Sequence, residues 1–316
     1  MSKKILTVTL NPAVDFTVEI PGFSPGNVNR VSSSRKDPGG KGINVATALS
    51  SGNISVDVTG FLGKDNSDIF KKHFSDNSIS DYFIYVSGST REGIKIVDTS
   101  CAETTDINFN GFNLNREDIN LFLKNFEETI HEYDYVVLSG SLPLNTSEHI
   151  YRDLSLIAKN HGVFVIVDTS RNALLECINS GAVSLIKPNI DELIEIYPNL
   201  NDMRDNEFVF DKFILSLLDK VEMVALSLGE KGSKLYTSKG IFYGNAPKID
   251  VKSTVGAGDT FLAGFIAGLY FDYEPEKVLA TAISWAASKL TKYGPGLSKT
   301  MPPQGFEDRI IVRKTI

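Results

Sequence analysis

Residues that build disulfide frameworks or zinc sites are scarce in this chain. Its 316 residues include two cysteines, Cys101 and Cys177, which lie far apart and form no CxxC pair. Its four histidines do not have the spacing typical of metal ligands. Because disulfides are rare in reducing compartments and no zinc motif is found, the composition predicts a cytoplasmic protein without structural zinc.

Long hydrophobic runs are also missing. The longest, at residues 261–271, is well below the ~20 residues that a membrane helix needs. Near the N-terminus, the apolar stretch at residues 5–10 is too short for the ~7–15-residue core of a signal peptide. We therefore expect a soluble, cytoplasmic protein with no membrane partner.

Positive charge is in short supply, with 32 lysines and arginines against 39 acidic residues and a net charge of −7. A general binder of nucleic-acid backbones needs a face rich in lysine and arginine, so nucleic acid is not an expected partner. A small basic pocket for one anionic ligand remains compatible with this charge. The apolar share of 42% and charged share of 22% are typical of a soluble globular protein.

Short β-branched runs alternate with stretches of helical periodicity through the middle of the chain. The runs at 136–138, 163–167, 183–186 and 223–228 each end in a polar or glycine-containing turn, and residues 147–161 repeat apolar residues at helical intervals. This βαβ pattern predicts an α/β fold with a mostly parallel sheet covered by helices. Ligand sites in such sheets lie beyond the carboxyl ends of the strands, so these turns are the expected binding sites.

Three other segments have the pattern of strands that are exposed to water on one face. Polar and apolar residues alternate at 15–20, 91–98 and 103–110, and no long helical stretch separates the last two. We predict a small antiparallel sheet that projects from the main domain as a lid, built from strands at approximately 12–40 and 90–110. Edge strands of the main sheet are the alternative, which periodicity does not exclude.

The motif with the most chemical content is STVGAGDTF at residues 253–261, directly before a helical apolar stretch. Gly256 and Gly258 let backbone N–H groups point into one cavity, where they and the positive end of the helix can hold a phosphoryl group. A carboxylate in such a hole repels an anion, so Asp259 needs a chemical reason to be there. Removing a proton from an attacking hydroxyl is one, and an ordinary helix cap is the other.

Two common nucleotide-binding fingerprints are not found. The Gly-Lys pairs at 40–41 and 63–64 are followed by glycine and aspartate instead of serine or threonine, so neither is a P-loop. At residues 256–261, Phe261 occupies the position where a dinucleotide fingerprint has glycine. A nicotinamide site is therefore not expected.

A second motif, DPGGKGINVA at residues 37–46, combines a cation, an amide and close backbone approach. Gly40 permits the approach, Lys41 supplies the charge, and the Asn44 amide can both donate to and accept from hydroxyls. Sugars offer that kind of partner. A tight turn with an exposed lysine is the alternative interpretation.

A third motif, KPNIDE at residues 187–192, follows a predicted strand end. Asn189 and Glu192 are three residues apart and can share one helix face, where the pair could orient the waters around Mg²⁺. Asparagine followed by glutamate at this spacing also resembles a helix cap, so both interpretations stay open.

The three motifs occur in the order and at the separations of the ribokinase-like (pfkB) carbohydrate kinase family, which this chain resembles. GGKGINVA is similar to its first signature, Asn189-x-x-Glu192 to its magnesium-associated motif, and VGAGDTFLAG to its C-terminal signature with the catalytic aspartate. The resemblance extends from Thr7 to about Gly296. It implies that residues 1–316 form a single three-layer αβα kinase domain with a small β lid over the sugar.

The resemblance also implies roles for individual residues, with ATP as donor and Mg²⁺ as cofactor. Asp259 would be the general base, and the N–H groups of Gly256, Ala257 and Gly258 would form the anion hole. The implied substrate contacts are Asp15, Arg30, Gly40, Lys41, Asn44, Arg91, Asn108 and Ser139, with Arg30, Lys41 and Arg91 on the existing phosphate. The implied ATP contacts are Lys187, Ser227, Gly229, Thr254, Gly256 and Gly258. Asn189 and Glu192 would hold Mg²⁺ through water.

Other segments resemble the branch of the family that converts fructose 1-phosphate to fructose 1,6-bisphosphate. These are TLNPAVD at 9–15, GFLGKDN at 60–66, TDINF at 105–109 and SGSLP at 139–143. The branch that acts on tagatose 6-phosphate shares TLNP, GGKG and the GAGD region and is the alternative. A non-catalytic sugar-phosphate sensor is an alternative of a different class, which the intact GAGD and Lys187 disfavour. A homodimer is compatible with the sequence.

Overall fold

Strands and helices alternate along most of the chain. A computed structural model describes residues 3–101 and 103–315. The strands are β1 (Ile5–Thr9), β2 (Ala13–Glu19), β3 (Ser33–Gly39), β4 (Asp57–Gly63), β5 (Ser80–Asp81), β6 (Ile84–Val86), β7 (Arg91–Asp98), β8 (Glu103–Asn108), β9 (Tyr135–Ser139), β10 (Phe164–Asp168), β11 (Leu185–Ile186), β12 (Met223–Ser227), β13 (Ser233–Thr237), β14 (Gly240–Gly244) and β15 (Val312–Lys314). The α-helices are α1 (Lys41–Ser51), α2 (Asp68–Asp76), α3 (Arg116–Thr129), α4 (Ile150–Asn160), α5 (Arg171–Asn179), α6 (Ile190–Ile196), α7 (Glu207–Ser216), α8 (Ala257–Tyr270) and α9 (Pro275–Leu290).

The main sheet has the strand order β15-β14-β13-β12-β11-β10-β9-β1-β4-β5, and β6 also pairs with β4. From β12 to β5 the pairing is parallel, and β12 to β15 form an antiparallel edge. The central strands β1 and β9 are buried along their whole length, as expected for parallel strands covered on both faces. The predicted α/β class with a mostly parallel sheet is confirmed.

Helices cover both faces of this sheet and give it the three layers of an αβα fold. Alternate residues of one strand enter different cores: Leu6 belongs to the core that includes residues of α3 to α7, whereas Ile5 belongs to the core that includes residues of α1, α2, α8 and α9. Val136 and Val137 in β9 divide in the same way. This follows from the strand period of two, which sends successive side chains to opposite faces.

The predicted lid is a separate four-stranded sheet with the order β3-β2-β7-β8. The alternative of edge strands on the main sheet is therefore wrong. The sheet is antiparallel only in part, because β2 and β7 run parallel to each other. A long crossover through β4 and α2 separates these two strands in the chain, and a connection of that length permits parallel pairing.

That residues 1–316 form a single domain stays a prediction.

None of the helices within the described residues is both long and apolar enough to cross a membrane.

Candidate active site

The polar turns after the central strands lie side by side at the carboxyl edge of the main sheet. Asp168 at the end of β10 is in register with Ser139 at the end of β9. Asn189, just after β11, forms a bridge with Ser227 at the end of β12. The N-termini of α1 and α8 bring the GGKG and GAGD motifs to the same edge, where Lys41 contacts Asp168 and Gly258 lies next to Lys187. Parallel strands thus gather residues that are far apart in sequence.

The N-terminus of α8 has the geometry of an anion site. Gly256 is its N-cap, with φ 75° in the left-handed region that favours glycine, and no side chain caps the helix within the described residues. The Ala257 N–H donates to the Thr254 carbonyl at 3.1 Å, so this predicted member of the anion hole already has a partner. Gly258 is the next residue in the first turn of α8. Backbone N–H groups of a first turn have no intrahelical acceptor, so the Gly258 N–H and the positive end of the helix dipole can hold an incoming anion.

Asp259 is the third residue of α8 and is not its N-cap, so the helix-cap interpretation is wrong. Its side chain is buried, and its Oδ2 accepts a hydrogen bond from Asn44 Nδ2 at 2.8 Å. Burial and the nearby Asp168 carboxylate raise the pKa of Asp259 to about 6, against the opposing effects of Lys41, Asn44 and Lys187. A carboxylate with this pKa can accept a proton near neutral pH.

Asp168 is a buried carboxylate that none of the three sequence motifs contains. Its Oδ1 lies 3.0 Å from Lys41 Nζ and 3.4 Å from Lys187 Nζ, whereas its Oδ2 has no hydrogen-bond partner among the described residues. Burial raises its pKa, but the two lysines outweigh burial and the net shift is downward. The available signal was its position: Asp168 is the first polar residue after the buried run at 163–167.

The two predicted lysines both contact this carboxylate, and Lys187 also approaches the N-terminus of α8. Lys187 is buried, and its Nζ is 3.6 Å from the point where a Cβ at Gly258 would stand. Lys41 begins α1 and also lies 3.8 Å from Glu192 Oε1. Burial lowers the pKa of Lys41, but three carboxylates, led by Asp168, raise it above its ordinary value. Both positions suit cations that hold phosphate oxygens.

Asn189 and Glu192 form a capping box at the start of α6. Asn189 Oδ1 accepts from the Glu192 N–H at 2.8 Å, and Glu192 Oε2 accepts from the Asn189 N–H at 2.9 Å. The helix-cap interpretation is therefore confirmed, and the magnesium role stays a prediction. In the part of the chain that the structure describes, no group of three or more His, Cys, Asp or Glu side chains could hold a metal ion directly.

A cavity of about 450 Å³, here called the lid cavity, lies between the lid and the main domain. Asp15 and Lys95 line it from the lid, and Asn44, Gly256 and Lys289 line it from the main domain. Asp15 Oδ1 is 3.6 Å from Lys95 Nζ. Burial raises the pKa of Asp15, although Lys95 and Arg91 oppose that shift. The mixture of carboxylate, amide and ammonium groups suits a ligand with several hydroxyls.

The other predicted substrate residues do not line this cavity; they are Arg30, Gly40, Lys41, Arg91, Asn108 and Ser139. Arg91 is half-buried and donates to the carbonyls of Phe109 at 3.1 Å and Asn11 at 3.3 Å. Ser139 is buried at the end of β9, and Asn108 is exposed at the end of β8. Gly40 has φ 129°, and a Cβ there would stand 2.8 Å from Thr9 Cγ2, so only glycine fits. Arg30 is exposed in the loop after β2 and does not line the lid cavity.

A second cavity of about 900 Å³, here called the apolar cavity, lies on the other side of the GAGD loop. Four of the predicted ATP contacts line it: Ser227, Gly229, Thr254 and Gly258. Its remaining lining is mainly apolar and includes Ile249, Phe261, Ile283 and Leu290. Such a surface suits the flat face of a purine. The two cavities share Val251 and Thr254, so they meet at the N-terminus of α8.

Comparison with known proteins places this geometry in a family. Residues 7–301 match the family model described as pfkB family carbohydrate kinase. The chain is similar to the 1-phosphofructokinase of Vibrio cholerae, with 36% identity over 94% of this chain and 92% of that protein. It is also similar to the 1-phosphofructokinase of Escherichia coli, with 35% identity over 94% of each. The structure of a possible 1-phosphofructokinase from Thermotoga maritima matches with a TM-score of 0.82 and 28% identity, covering 99% of this chain and all of that one.

Proposed function

Because the chain belongs to the pfkB family of carbohydrate kinases, we propose that it transfers the γ-phosphoryl group of ATP to fructose 1-phosphate, giving fructose 1,6-bisphosphate. The observation that carries this proposal is the meeting of the two cavities at the N-terminus of α8, with Asp259 beside the junction. The names of the relatives support fructose 1-phosphate over tagatose 6-phosphate as acceptor. A cytoplasmic location is part of the same proposal.

On the donor side, the apolar cavity would hold the purine and direct the phosphates towards α8. Lys187 and the Gly258 N–H stand where the γ-phosphoryl group would arrive, because the Lys187 ammonium is next to Gly258. Positioning and charge stabilisation account for most of the catalysis of phosphoryl transfer. Lys41, held by Asp168, would add a second positive charge near the same group.

On the acceptor side, the lid cavity would present the free primary hydroxyl of the sugar phosphate to Asp259. The Asn44 amide donates to Oδ2 of the Asp259 carboxylate and so fixes the orientation of that carboxylate. The proton of the attacking hydroxyl moves to this carboxylate as the hydroxyl oxygen forms its bond to the γ-phosphorus. The bond from that phosphorus to the bridging oxygen of the β-phosphate breaks in the same step, and ADP leaves with the electron pair. The lid strands cover the reacting groups and limit access by water, which would otherwise compete as the nucleophile.

Magnesium fits the carboxylates around Lys41. Mg²⁺ keeps several waters and usually binds through one or two carboxylates together with substrate phosphates, where it neutralises phosphate charge. Asp168 Oδ2 is buried without a partner among the described residues, and the carboxylates of Asp168 and Glu192 lie 3.0 and 3.8 Å from the same Lys41 Nζ. These two groups are the residues that would hold the hydrated ion, with Asn189 holding Glu192 in place.

Glu192→Gln is expected to raise the Mg²⁺ concentration for half-maximal rate by about 10–100-fold without abolishing the maximal rate. The amide oxygen can still accept from the Asn189 N–H, so the capping box and α6 should survive. Magnesium titrations of initial rate would measure the change. Glu195→Gln, on an exposed position of the same helix, is the matched control. If the magnesium dependence of Glu192→Gln were unchanged, the only role of Glu192 would be to cap α6.

Arg91→Ala is expected to raise KM for fructose 1-phosphate by about 10–100-fold, the equivalent of one charge-assisted bond to phosphate. KM for ATP should change little, because Arg91 lies on the lid side of the site. Arg91→Lys keeps the charge but loses the two-pronged geometry and should fall in between. Arg30→Ala tests the other arginine predicted at the phosphate. A larger effect of Arg91→Ala on ATP would mean that the phosphate pocket lies elsewhere.

The proposed acceptor is tested by a turnover screen of fructose 1-phosphate, fructose 6-phosphate, tagatose 6-phosphate and free fructose with ATP and Mg²⁺. We expect the highest kcat/KM with fructose 1-phosphate. A higher value with tagatose 6-phosphate would select the alternative kinase. If none of the sugar phosphates led to ADP release but one of them bound measurably, the non-catalytic sensor would be favoured.

A further inference from the structure

Lys289 is a buried lysine that the scheme above does not use. It lies in the last turn of α9 with 2% of its surface exposed, and its Nζ donates to the Lys292 carbonyl at 3.3 Å. An ammonium group has three donors, and this carbonyl is its one hydrogen-bond acceptor among residues 3–101 and 103–315. Burying a charge with so few partners is unfavourable for folding, so the position calls for a functional explanation.

The side chain of Lys289 converges with the proposed base on Gly256, the N-cap of α8. The point where a Gly256 Cβ would stand is 3.7 Å from Lys289 Cε, 3.9 Å from Asp259 Oδ2 and 4.0 Å from Asn44 Nδ2. Lys289 also lines the lid cavity. A positive charge is therefore built into the wall where the acceptor and the transferred group would meet.

The loop that precedes α8 is fastened to the same end of α9. The Lys252 N–H donates to the Leu290 carbonyl at 2.8 Å, and the Ser253 N–H approaches the same oxygen at 3.5 Å. The last carbonyls of a helix form the negative end of its dipole, which favours a cation there. The loop and the Lys289 side chain are consequently both attached to the last turn of α9.

Charged groups from three neighbouring segments face Lys289. Lys292 follows α9, Arg35 and Asp37 belong to β3, and Asp259 belongs to α8. Burial, followed by Lys292 and Arg35, lowers the pKa of Lys289 to about 8, while Asp259 and Asp37 act in the opposite direction. Arg35 is itself paired with Asp37 at 2.8 Å. At neutral pH the Lys289 amine is therefore mostly protonated.

We propose that Lys289 is a positioning residue for phosphoryl transfer, whose side chain packs beside Gly256, the N-cap of α8, and whose ammonium supplies a fixed positive charge beside the anion site. This inference rests on the proposed function. The charge favours the anionic transferred group.

The test compares Lys289→Met and Lys289→Arg, with Lys292→Met as the matched control. Lys292 belongs to the same segment, but its Nζ donates to the Pro295 carbonyl at 2.7 Å. Lys289→Met should lower kcat by about 10–100-fold, the range for loss of one charge-assisted interaction. Its melting temperature should not fall, because methionine removes a buried charge at similar volume. Lys289→Arg should recover most of the rate, and Lys292→Met should stay within about threefold of wild type.

The pH profile separates this role from simple packing. Wild-type kcat should fall as pH rises through about 8, because deprotonation removes the Lys289 charge. In Lys289→Arg the decrease in kcat should move to much higher pH, because a guanidinium keeps its proton. In Lys289→Met the decrease should be absent, because there is no group to deprotonate. The proposal would be overturned if Lys289→Met had the kcat of the wild type. It would also be overturned if the kcat of Lys289→Arg fell at the same alkaline pH as that of the wild type. Poor wild-type turnover of fructose 1-phosphate would instead count against the proposed acceptor, and the same variant ratios would then be measured on the sugar phosphate that is used.

Discussion

Asp259→Asn is expected to lower kcat by about 10²–10⁴-fold, the usual effect of losing a general base, while ATP affinity changes little. The amide keeps the shape of the side chain and can still accept from Asn44, but it cannot take the proton of the attacking hydroxyl. Steady-state rates and ATP binding to the variant would measure both effects. A variant that retains more than about a tenth of the wild-type kcat would rule out Asp259 as the base.

Two further measurements sharpen this prediction. The pKa of Asp259 is about 6, so wild-type kcat/KM should fall as pH drops below that value and the carboxylate becomes protonated. A raised pKa means that folding favours the protonated form, and this contribution to stability is lost as pH rises through about 6. The neutral amide should therefore leave the protein at least as stable at pH 7 as the wild type. Asp118→Asn, also at the third position of a helix but partly exposed, is the matched control.

Asp168→Asn is expected to reduce the free energy of unfolding by about 3–5 kcal/mol, because it leaves two lysines without their shared buried carboxylate. It should also lower kcat/KM by at least about 10-fold, since Lys41 and Lys187 would no longer be held at the anion site. The pKa of Asp168 is lowered in the folded state, so its stabilising effect is present above its ordinary pKa and is lost as pH falls through the lower, folded value. Denaturant unfolding at pH 7 and in acid would measure this, and the difference between wild type and variant should shrink in acid.

The chain contains a matched control for the second prediction. Asp211 is another buried aspartate, and its carboxylate accepts from Lys234 Nζ at 2.7 Å and from Tyr236 at 2.6 Å, outside both cavities. Asp211→Asn should cost comparable stability with little loss of kcat. If the two variants lost the same small amount of activity, Asp168 would have a structural role only.

The architecture was readable from local patterns. Alternation of short apolar runs with helical stretches predicted the parallel sheet, because a strand buried on both faces needs a continuous apolar run. Polar and apolar residues alternate at 15–20 and 91–98, which is the pattern of strands with one face exposed to water. This pattern predicted a separate sheet for these strands. Their mutual direction was predicted wrongly, because periodicity reports which face a residue occupies and says nothing about strand direction.

For the site, the amino-acid sequence alone determined the motifs and the edge of the sheet at which they meet, since glycines before a helix and polar turns after strands are local features. Tertiary structure decided which charges lie together. The contact between Asn44 and Asp259 spans 215 positions, and that between Lys41 and Asp168 spans 127. Asp168 ends one apolar stretch and Lys289 lies within another, and the charged groups that surround them come from other elements of the fold. Burial and Coulomb interactions depend on distance in space, which sequence separation does not contain.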